Sequence, residues 1–579
     1  MNSNLTTPSF THKDLLLKKL YYSVICSVLS QLVLLQLYVF VSTFNLFHPI
    51  QWILESITTF TSFRTWLFTV PFLGIIFAQS VICAKDYVFK STYCSTRFQK
   101  FISAFSLHNL VLLFLHILAG PALIWLFLSL GGGQFQNITS IAENKVYVLN
   151  EGSFFLVLSG LWTGFFYFIK VYMAEKHLAF PVIHQRKWLQ FKTQVVPLLK
   201  NSFSLSIWPT VTFIIFYMVW GSTFSAGFSS SFGLENVDKI SGIFVYLNLW
   251  CFTAIYYFNM HLMKFFFNLF LTEHIEFPLC KLSETSFNLQ DSLSMSDLPI
   301  IQNLACLDLY NLAQWSKERR QVFYTLSQPG GHPYNWNALV ENVLKLFTEY
   351  IVLLNKSTES ADSKPAVVPP TPPMVTTPVQ SPDMFTNLSP MPSPDKFRNL
   401  RNMSVISDPC LADVLSVTQK SGPKFELPEA VVSVFNKKIN SFVTIARVVL
   451  GIDFFFGELP QANIQKCLAN GLIIIWTSQG ISELTCAAMT EDRYGIVQKD
   501  IPALVSTLVD LKQNLDKLSK ISALTKKIAG QDDFNYKMKV AVIAAVQRSL
   551  FKICLTYKEY LDELPLSKGV KIYLQGIKS

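Results

Sequence analysis

Two histidines occupy positions from which chemistry is conceivable. His116 lies inside Leu110–Leu130, an uncharged apolar stretch, and His332 lies in Leu326–Trp336, LSQPGGHPYNW. An intramembrane histidine serves some acyltransferases as a base, and the same ring equally well makes an interhelical hydrogen bond. His116 has no nearby carboxylate or Asn on its own helix to orient it. His332 stands between Gly331 and Pro333 with no metal-ligand partner at helical spacing. The glycines beside it belong to neither a G-x-x-x-x-G-K-[ST] nor a G-x-G-x-x-G frame, so they do not read as a phosphate cradle. Pro329 and Pro333 fix φ and Gly330 and Gly331 permit positive φ. The stretch Ser327, Gln328, Pro329, Gly330, Gly331, His332, Pro333 therefore predicts a rigid reversal. It joins a helix ending near Leu326 to one starting near Trp336, with Asn335 as a candidate cap. Ten scattered cysteines form no C-x-x-C pair and read as reduced thiols. No catalytic, cofactor or metal set emerges.

The elements that position these residues are mostly apolar. Of 579 residues, 51% are hydrophobic and 15% charged, against about 25% charged in ordinary soluble domains. Crossing a bilayer takes about 20 apolar residues as a helix. Six stretches meet or approach that: Tyr21–Phe44, Thr65–Ala84, Leu110–Leu130, Ser153–Ile169, Asn201–Trp220 and Ile240–Met263. None contains Asp, Glu, Lys or Arg. Their polar residues include Gln31, Gln36, Gln79, His116 and His261, with His108 at an edge, and such spans offer no permeation path.

Orientation follows from the basic residues in short loops. The N-terminal tail, residues 85–100 and residues 170–200 together carry 13 Lys and Arg; the opposite loops carry three, Arg64, Lys145 and Lys239. Both termini are therefore expected on the cytosolic side. The sequon Asn137-Ile138-Thr139 then becomes a lumenal glycosylation candidate. Residues 1–263 hold 16 Lys and Arg against 8 Asp and Glu, whereas 264–579 hold 32 against 30. A basic excess confined to the membrane half favours anionic headgroups over nucleic acid. Arg186, Lys187 and Lys192 are candidates for such contacts, although setting topology alone is the plainer explanation of them.

The expected fold is all-α: a tail at 1–20, a six-helix membrane domain at 21–263, and a cytosolic helical domain at 264–356 and 425–579. That domain is split by a Pro/Ser/Thr-rich insert at 357–424, whose composition buries too little apolar area to offset its ordering entropy. Thr371, Thr377, Ser381, Ser389 and Ser393 each precede proline, and Ser393-Pro394-Asp395-Lys396 has the form favoured by cyclin-dependent kinases. Mitotic phosphorylation is the expectation, with a merely solvated linker as the alternative. Gly471–Trp476, GLIIIW, is too brief to span and reads as part of a buried core helix. Ile501, Leu504, Leu508, Leu511, Leu515 and Leu518 repeat at spacings of three and four, a seam for packing within the domain or for a partner coiled coil. Val540–Cys554 is a further helix built for burial.

Leu304–Trp336, LACLDLYNLAQWSKERRQVFYTLSQPGGHPYNW, closely resembles the signature segment of the transmembrane nucleoporins of the nuclear-division-cycle (NDC) family. Arg319, Arg320, the run Ser327 to Pro333, Asn335 and Trp336 carry the match. Leu178–Lys192, LAFPVIHQRKWLQFK, supplies a second. The resemblance implies a non-enzymatic protein that anchors soluble scaffold at the pore membrane of the nuclear envelope and supports pore assembly. It implies as partners the β-propeller nucleoporin aladin, inner-ring nucleoporins and another pore-membrane protein, with no small-molecule substrate. The rival classes are a polytopic acyltransferase acting through His116 and a transporter.

Overall fold

A computed structural model describes residues 12–45, 47–88, 96–131, 135–141, 147–173, 180, 185–234, 236–238, 242–279, 288–326, 331–362, 462–520, 533–561 and 563–578. Its membrane half comprises α1 (His12–Ser42), α2 (Pro49–Thr61), α3 (Phe63–Val88), α4 (Arg97–Ala104), α5 (Leu107–Gly131), α6 (Glu151–Tyr167), α7 (Lys187–Leu205), α8 (Ile207–Phe232) and α9 (Phe244–Leu271). A π-helical turn, Phe168–Tyr172, extends α6. The body that follows has α10 (Leu289–Leu293), α11 (Pro299–Trp315), α12 (Lys317–Gln321), α13 (Tyr334–Asp362), α14 (Ala462–Ala469), α15 (Gly471–Glu491), α16 (Ile501–Lys520), α17 (Asp533–Thr556) and α18 (Lys568–Lys578).

Beside an apolar core the bundle buries polar side chains, and its outside is apolar. On α1, Ser23, Ser27 and Gln31 are buried at intervals of four, while Leu29, Val33, Leu37 and Val41 are exposed at the same interval. On α3, Thr65, Thr69, Gln79 and Ser80 are buried and Leu67, Val70, Phe77 and Val81 are exposed. In water that arrangement would waste the hydrophobic effect; in lipid it satisfies polar groups against neighbouring helices and leaves leucine to the acyl chains. Inward hydroxyls complete their bonding on their own helix, Ser23 to the Lys19 carbonyl and Ser27 to that of Ser23.

Five of the expected spans fall in helices long and apolar enough to cross a bilayer: α1, α3, α5, α6 with its π turn, and α7–α8. Several boundaries change. α1 starts at His12, inside the tail expected at 1–20, and ends at Ser42, short of the expected Phe44. The stretch expected as Asn201–Trp220 is not one helix from its start, because the chain breaks at Ser206 between α7 and α8. The expected Ile240–Met263 lies in α9, which starts at Phe244 and runs on to Leu271. It is less apolar than the others because Tyr256, Tyr257, Asn259 and His261 sit on it, all buried against the bundle. α9 packs against α1, α6 and α7 and is the bundle's central helix.

α15, which begins with the GLIIIW run, also has the length and apolarity of a span. It is nevertheless more buried than the other five and is packed between α11 and α17. Thr477, Ser478, Ser482 and Thr485 are buried there, and Gly480 lets it approach the α11 backbone at Leu309 and Tyr310. Packing makes it a core helix of the body. All six seam residues from Ile501 to Leu518 are buried on α16, against α13 and α17. The seam serves the body's own core. Val542, Val546, Leu550 and Ile553 of α17 are buried likewise, whereas Val540 is exposed.

Two features depart from the expected layout in detail. A small sheet of β1 (Thr139–Ile141), β2 (Tyr147–Asn150) and β3 (Asn236–Asp238) joins two interhelical loops; β1 pairs antiparallel with β2, and β2 parallel with β3. And α13 continues to Asp362, so residues 357–362 are helical rather than part of the insert. Residues 363–461, with Thr371, Thr377, Ser381, Ser389 and Ser393, lie outside the described residues, as do Ser327, Gln328, Pro329 and Gly330.

Candidate functional site

The signature segment is a set of fasteners. Asp308 sits in the apolar helix α11 with its side chain fully buried, so its charge must be matched within the protein. Arg319, eleven residues on in α12, answers it with both arms: Nη1 donates to Oδ1 and Nη2 to Oδ2, each at 2.8 Å. Nη2 also donates to the Phe277 carbonyl at 2.7 Å, and the Phe277 amide donates to Asp308 at 2.9 Å. His274 Nε2 stands 3.3 Å from the same carboxylate. Burial works against ionisation of Asp308. The hydrogen bonds of Arg319 and His274, the guanidinium charge and the Phe277 amide outweigh it, holding the carboxyl below its ordinary range. Burial likewise works against the Arg319 charge, and Asp308 more than restores it. Phe277 follows α9 by six residues, so this cluster ties the chain leaving the bundle to the body.

Arg320 fastens elsewhere. Nη2 and Nε reach the two oxygens of Glu491 at 2.8 and 3.2 Å, joining α12 to the last residue of α15. Its Nη1 donates to the Ala313 carbonyl at 3.0 Å, near the end of α11, where a cation complements the helix dipole. Trp336 is fully buried and donates from Nε1 to Asp500 Oδ2 at 3.0 Å, joining α13 to the residue before α16. Tyr324 and Tyr557 donate to the α15 carbonyls of Leu484 and Thr485 at 2.6 and 2.7 Å.

Asn335 departs from its expected role. It lies inside the first turn of α13, where its amide donates to the Val322 carbonyl at 3.4 Å and its own carbonyl accepts from Gln290 at 3.0 Å. It braces the turn after α12 and α10 instead of capping a helix. Gly331 and Pro333 are half-buried and His332 is exposed, just ahead of α13, which starts at Tyr334.

His116 is buried at the centre of the bundle and joins three helices. Gln79 Nε2 of α3 lies 2.6 Å from its Nδ1, and the Tyr256 hydroxyl of α9 lies 3.1 Å from the same atom. Tyr256 also donates to the His116 carbonyl at 3.2 Å. This is the interhelical hydrogen bond of the two readings open at His116. His261 of α9 makes another interhelical contact, its Nδ1 2.8 Å from the Ser202 hydroxyl of α7. Around His116 the backbones of α5 and α6 touch: a Cβ on Gly164 would overlap the His116 carbonyl, and Gly120 and Gly160 press on one another in the same way. Gly160-x-x-x-Gly164 is a sequence signal for such contact that the reading by charge and hydropathy passes over. Among the described residues no group of three His, Cys, Asp or Glu side chains is placed to hold a metal.

At the end of the bundle near the N-terminus, Lys19 of α1 donates to the carbonyls of Phe270 and Glu273 at 3.0 and 2.8 Å, closing the C-terminal end of α9. Lys187 meets the Glu273 carboxylate at 2.7 Å. Asn137 is exposed, two residues before β1.

The geometry holds helices together and holds a body to a bundle. The chain is 26% identical to Nucleoporin NDC1 of Mus musculus over 96% of each protein, and 25% identical to that of Homo sapiens with the same coverage. It is 24% identical to Nucleoporin Ndc1 of Drosophila melanogaster over 95% of each. The family described as Nucleoporin protein Ndc1-Nup matches residues 14–574. The chain belongs to the Ndc1-Nup family of nucleoporins, with apolar helices suited to the nuclear pore membrane.

Proposed function

We propose that this nucleoporin is a non-catalytic anchor that fixes nuclear pore scaffold to the pore membrane and supports pore assembly and insertion. One observation carries the reading: the apolar bundle and the helical body share one buried core, running from Leu16 on α1 to Leu574 on α18. Arg319, Asp308 and Phe277 lock the junction. A load applied to the body by a docked protein therefore reaches helices held in lipid. The partners are an aladin-like propeller, inner-ring nucleoporins and another pore-membrane protein. Both termini and the body face the cytosolic side, in keeping with the 13-to-three distribution of basic residues between the two sets of loops.

Co-imaging of a C-terminally tagged copy with a scaffold nucleoporin, together with carbonate extraction, tests this. Punctate rim signal coincident with pores, in a protein that resists extraction, is the expected outcome. Uniform reticular or plasma-membrane signal overturns the anchor. Release of the intact chain by carbonate overturns the bundle as its means of attachment. His116, whose Nδ1 lies against both Gln79 and Tyr256, gives the acyltransferase alternative no observation of its own.

A further inference from the structure

α2 divides into three faces. At about 100° per residue, Trp52, Ser56 and Phe60 share one side, which meets the protein: Trp52 Nε1 donates to the Phe40 carbonyl at 2.6 Å, and Ser56 Oγ lies 2.9 Å from Thr43 Oγ1. Ile50, Ile53, Leu54 and Ile57 form a second side at spacings of three, one and three. They are 83%, 46%, 60% and 51% exposed, with no part of the described chain over them. Gln51, Glu55 and Thr58 form the third, also exposed. A helix in water has no use for the second face, and a helix crossing a bilayer has no use for the third.

The surroundings say what covers the apolar side. α2 is joined directly to the ends of two membrane-crossing helices, α1 and α3, whose own outward residues Leu37, Val41, Leu67 and Val70 are apolar and exposed. Phe47 and Phe63, at its two flanks, are 88% and 81% exposed. Between α1 and α2 opens a groove of about 450 Å³, lined by Leu32, Val33, Leu37, Phe40 and Phe60 with Gln36 as its one polar side chain. We propose that α2 is an interfacial helix lying along the bilayer surface, at the end of the bundle opposite the basic loops. Its Ile50–Ile57 face enters the acyl layer, its Gln51–Glu55–Thr58 face stays in water, and the groove beside α1 takes a phospholipid acyl chain.

Such helices bury their apolar side about 5–10 Å into the boundary between headgroups and chains. α2 has one charged residue, Glu55, and no basic one, so its seat requires no anionic lipid. Thirteen residues give about 20 Å of helix, a wedge that widens one leaflet only. The inference rests on α1 and α3 crossing the bilayer and is independent of where in the cell the protein resides.

The test uses the full chain in phosphatidylcholine nanodiscs. A nitroxide amino acid, introduced genetically because ten cysteines preclude thiol labelling, replaces Leu54, Glu55, Ile57 or Thr58 in turn. Collision with oxygen and with a water-soluble nickel chelate is then read by electron paramagnetic resonance. At 54 and 57 oxygen should outcompete the chelate several-fold, and at 55 and 58 the order should reverse. Equal chelate access at all four positions would mean a helix in water and overturn the proposal. Exclusion of both relaxants from 54 and 57 would mean that protein, a second copy or another chain, covers the face, and would overturn it equally. None of these outcomes bears on pore anchoring, since the nanodisc contains no other nucleoporin.

Discussion

Arg319 holds Asp308 through two parallel hydrogen bonds of 2.8 Å, and the same guanidinium reaches the Phe277 carbonyl six residues beyond the last helix of the bundle. This pair joins membrane half and body. Removing one partner of a buried ion pair strands the other's charge, at a cost of about 3–5 kcal/mol. Arg319→Ala is therefore expected to lower the thermal midpoint of the detergent-solubilised chain far more than Lys317→Ala on the same short helix. Arg319→Lys keeps the charge but loses the fork and should fall between them. Equal midpoints for all three would remove the junction from the account.

Acid should act on the same pair. The folded-state pKa of Asp308 is depressed, so its contribution is present above the unfolded-state value, about 3.9, and is lost as pH falls through the folded one. Between pH 7 and 5 the Asp308 contribution should stay constant, and below about pH 4 it should fade. Asp308→Asn removes it throughout. A plot of midpoint against pH should show wild type and variant converging at the acid end; parallel curves would contradict the assignment.

The α5–α6 contact makes a steric prediction. Gly164→Val and Gly160→Val each place atoms inside the facing backbone and should abolish a monodisperse folded protein, whereas Gly74→Ala, with open space around it, should be silent. Size-exclusion profiles of the three decide it. A well-behaved Gly164→Val would mean that the two helices sit further apart.

His116 separates structure from chemistry. His116→Ala loses bonds to Gln79 and Tyr256, about 0.6–2 kcal/mol for interhelical hydrogen bonds in a membrane. Rim localisation and rescue of a depleted cell should survive that loss. A variant that folds and localises normally yet fails to rescue would point to catalysis.

Much of this architecture was legible because lipid imposes a coarse rule. Uncharged runs of about 20 residues, and the basic loops between them, announce spans without reference to partners. What stayed hidden is non-local or three-faced. Glu491 lies 171 residues from Arg320, and no local pattern links them. Asp308, alone in LACLDLYNL, advertised a need for a partner without saying which cation would supply it. The break at Ser206 has a local cause in Pro209, which offers no N–H to the Leu205 carbonyl, but hydropathy alone merges α7 with α8. α9 shows the converse, a bundle helix whose polar residues face inward and lower its apparent apolarity.

Depletion followed by rescue tests the anchor most directly. In cells lacking the endogenous protein, the full chain should restore scaffold nucleoporins to the nuclear rim. A chain ending after residue 279, which keeps the bundle and drops the body, should reach the envelope without restoring them. Restoration by the truncated chain, or scaffold that never leaves the rim on depletion, would contradict the account.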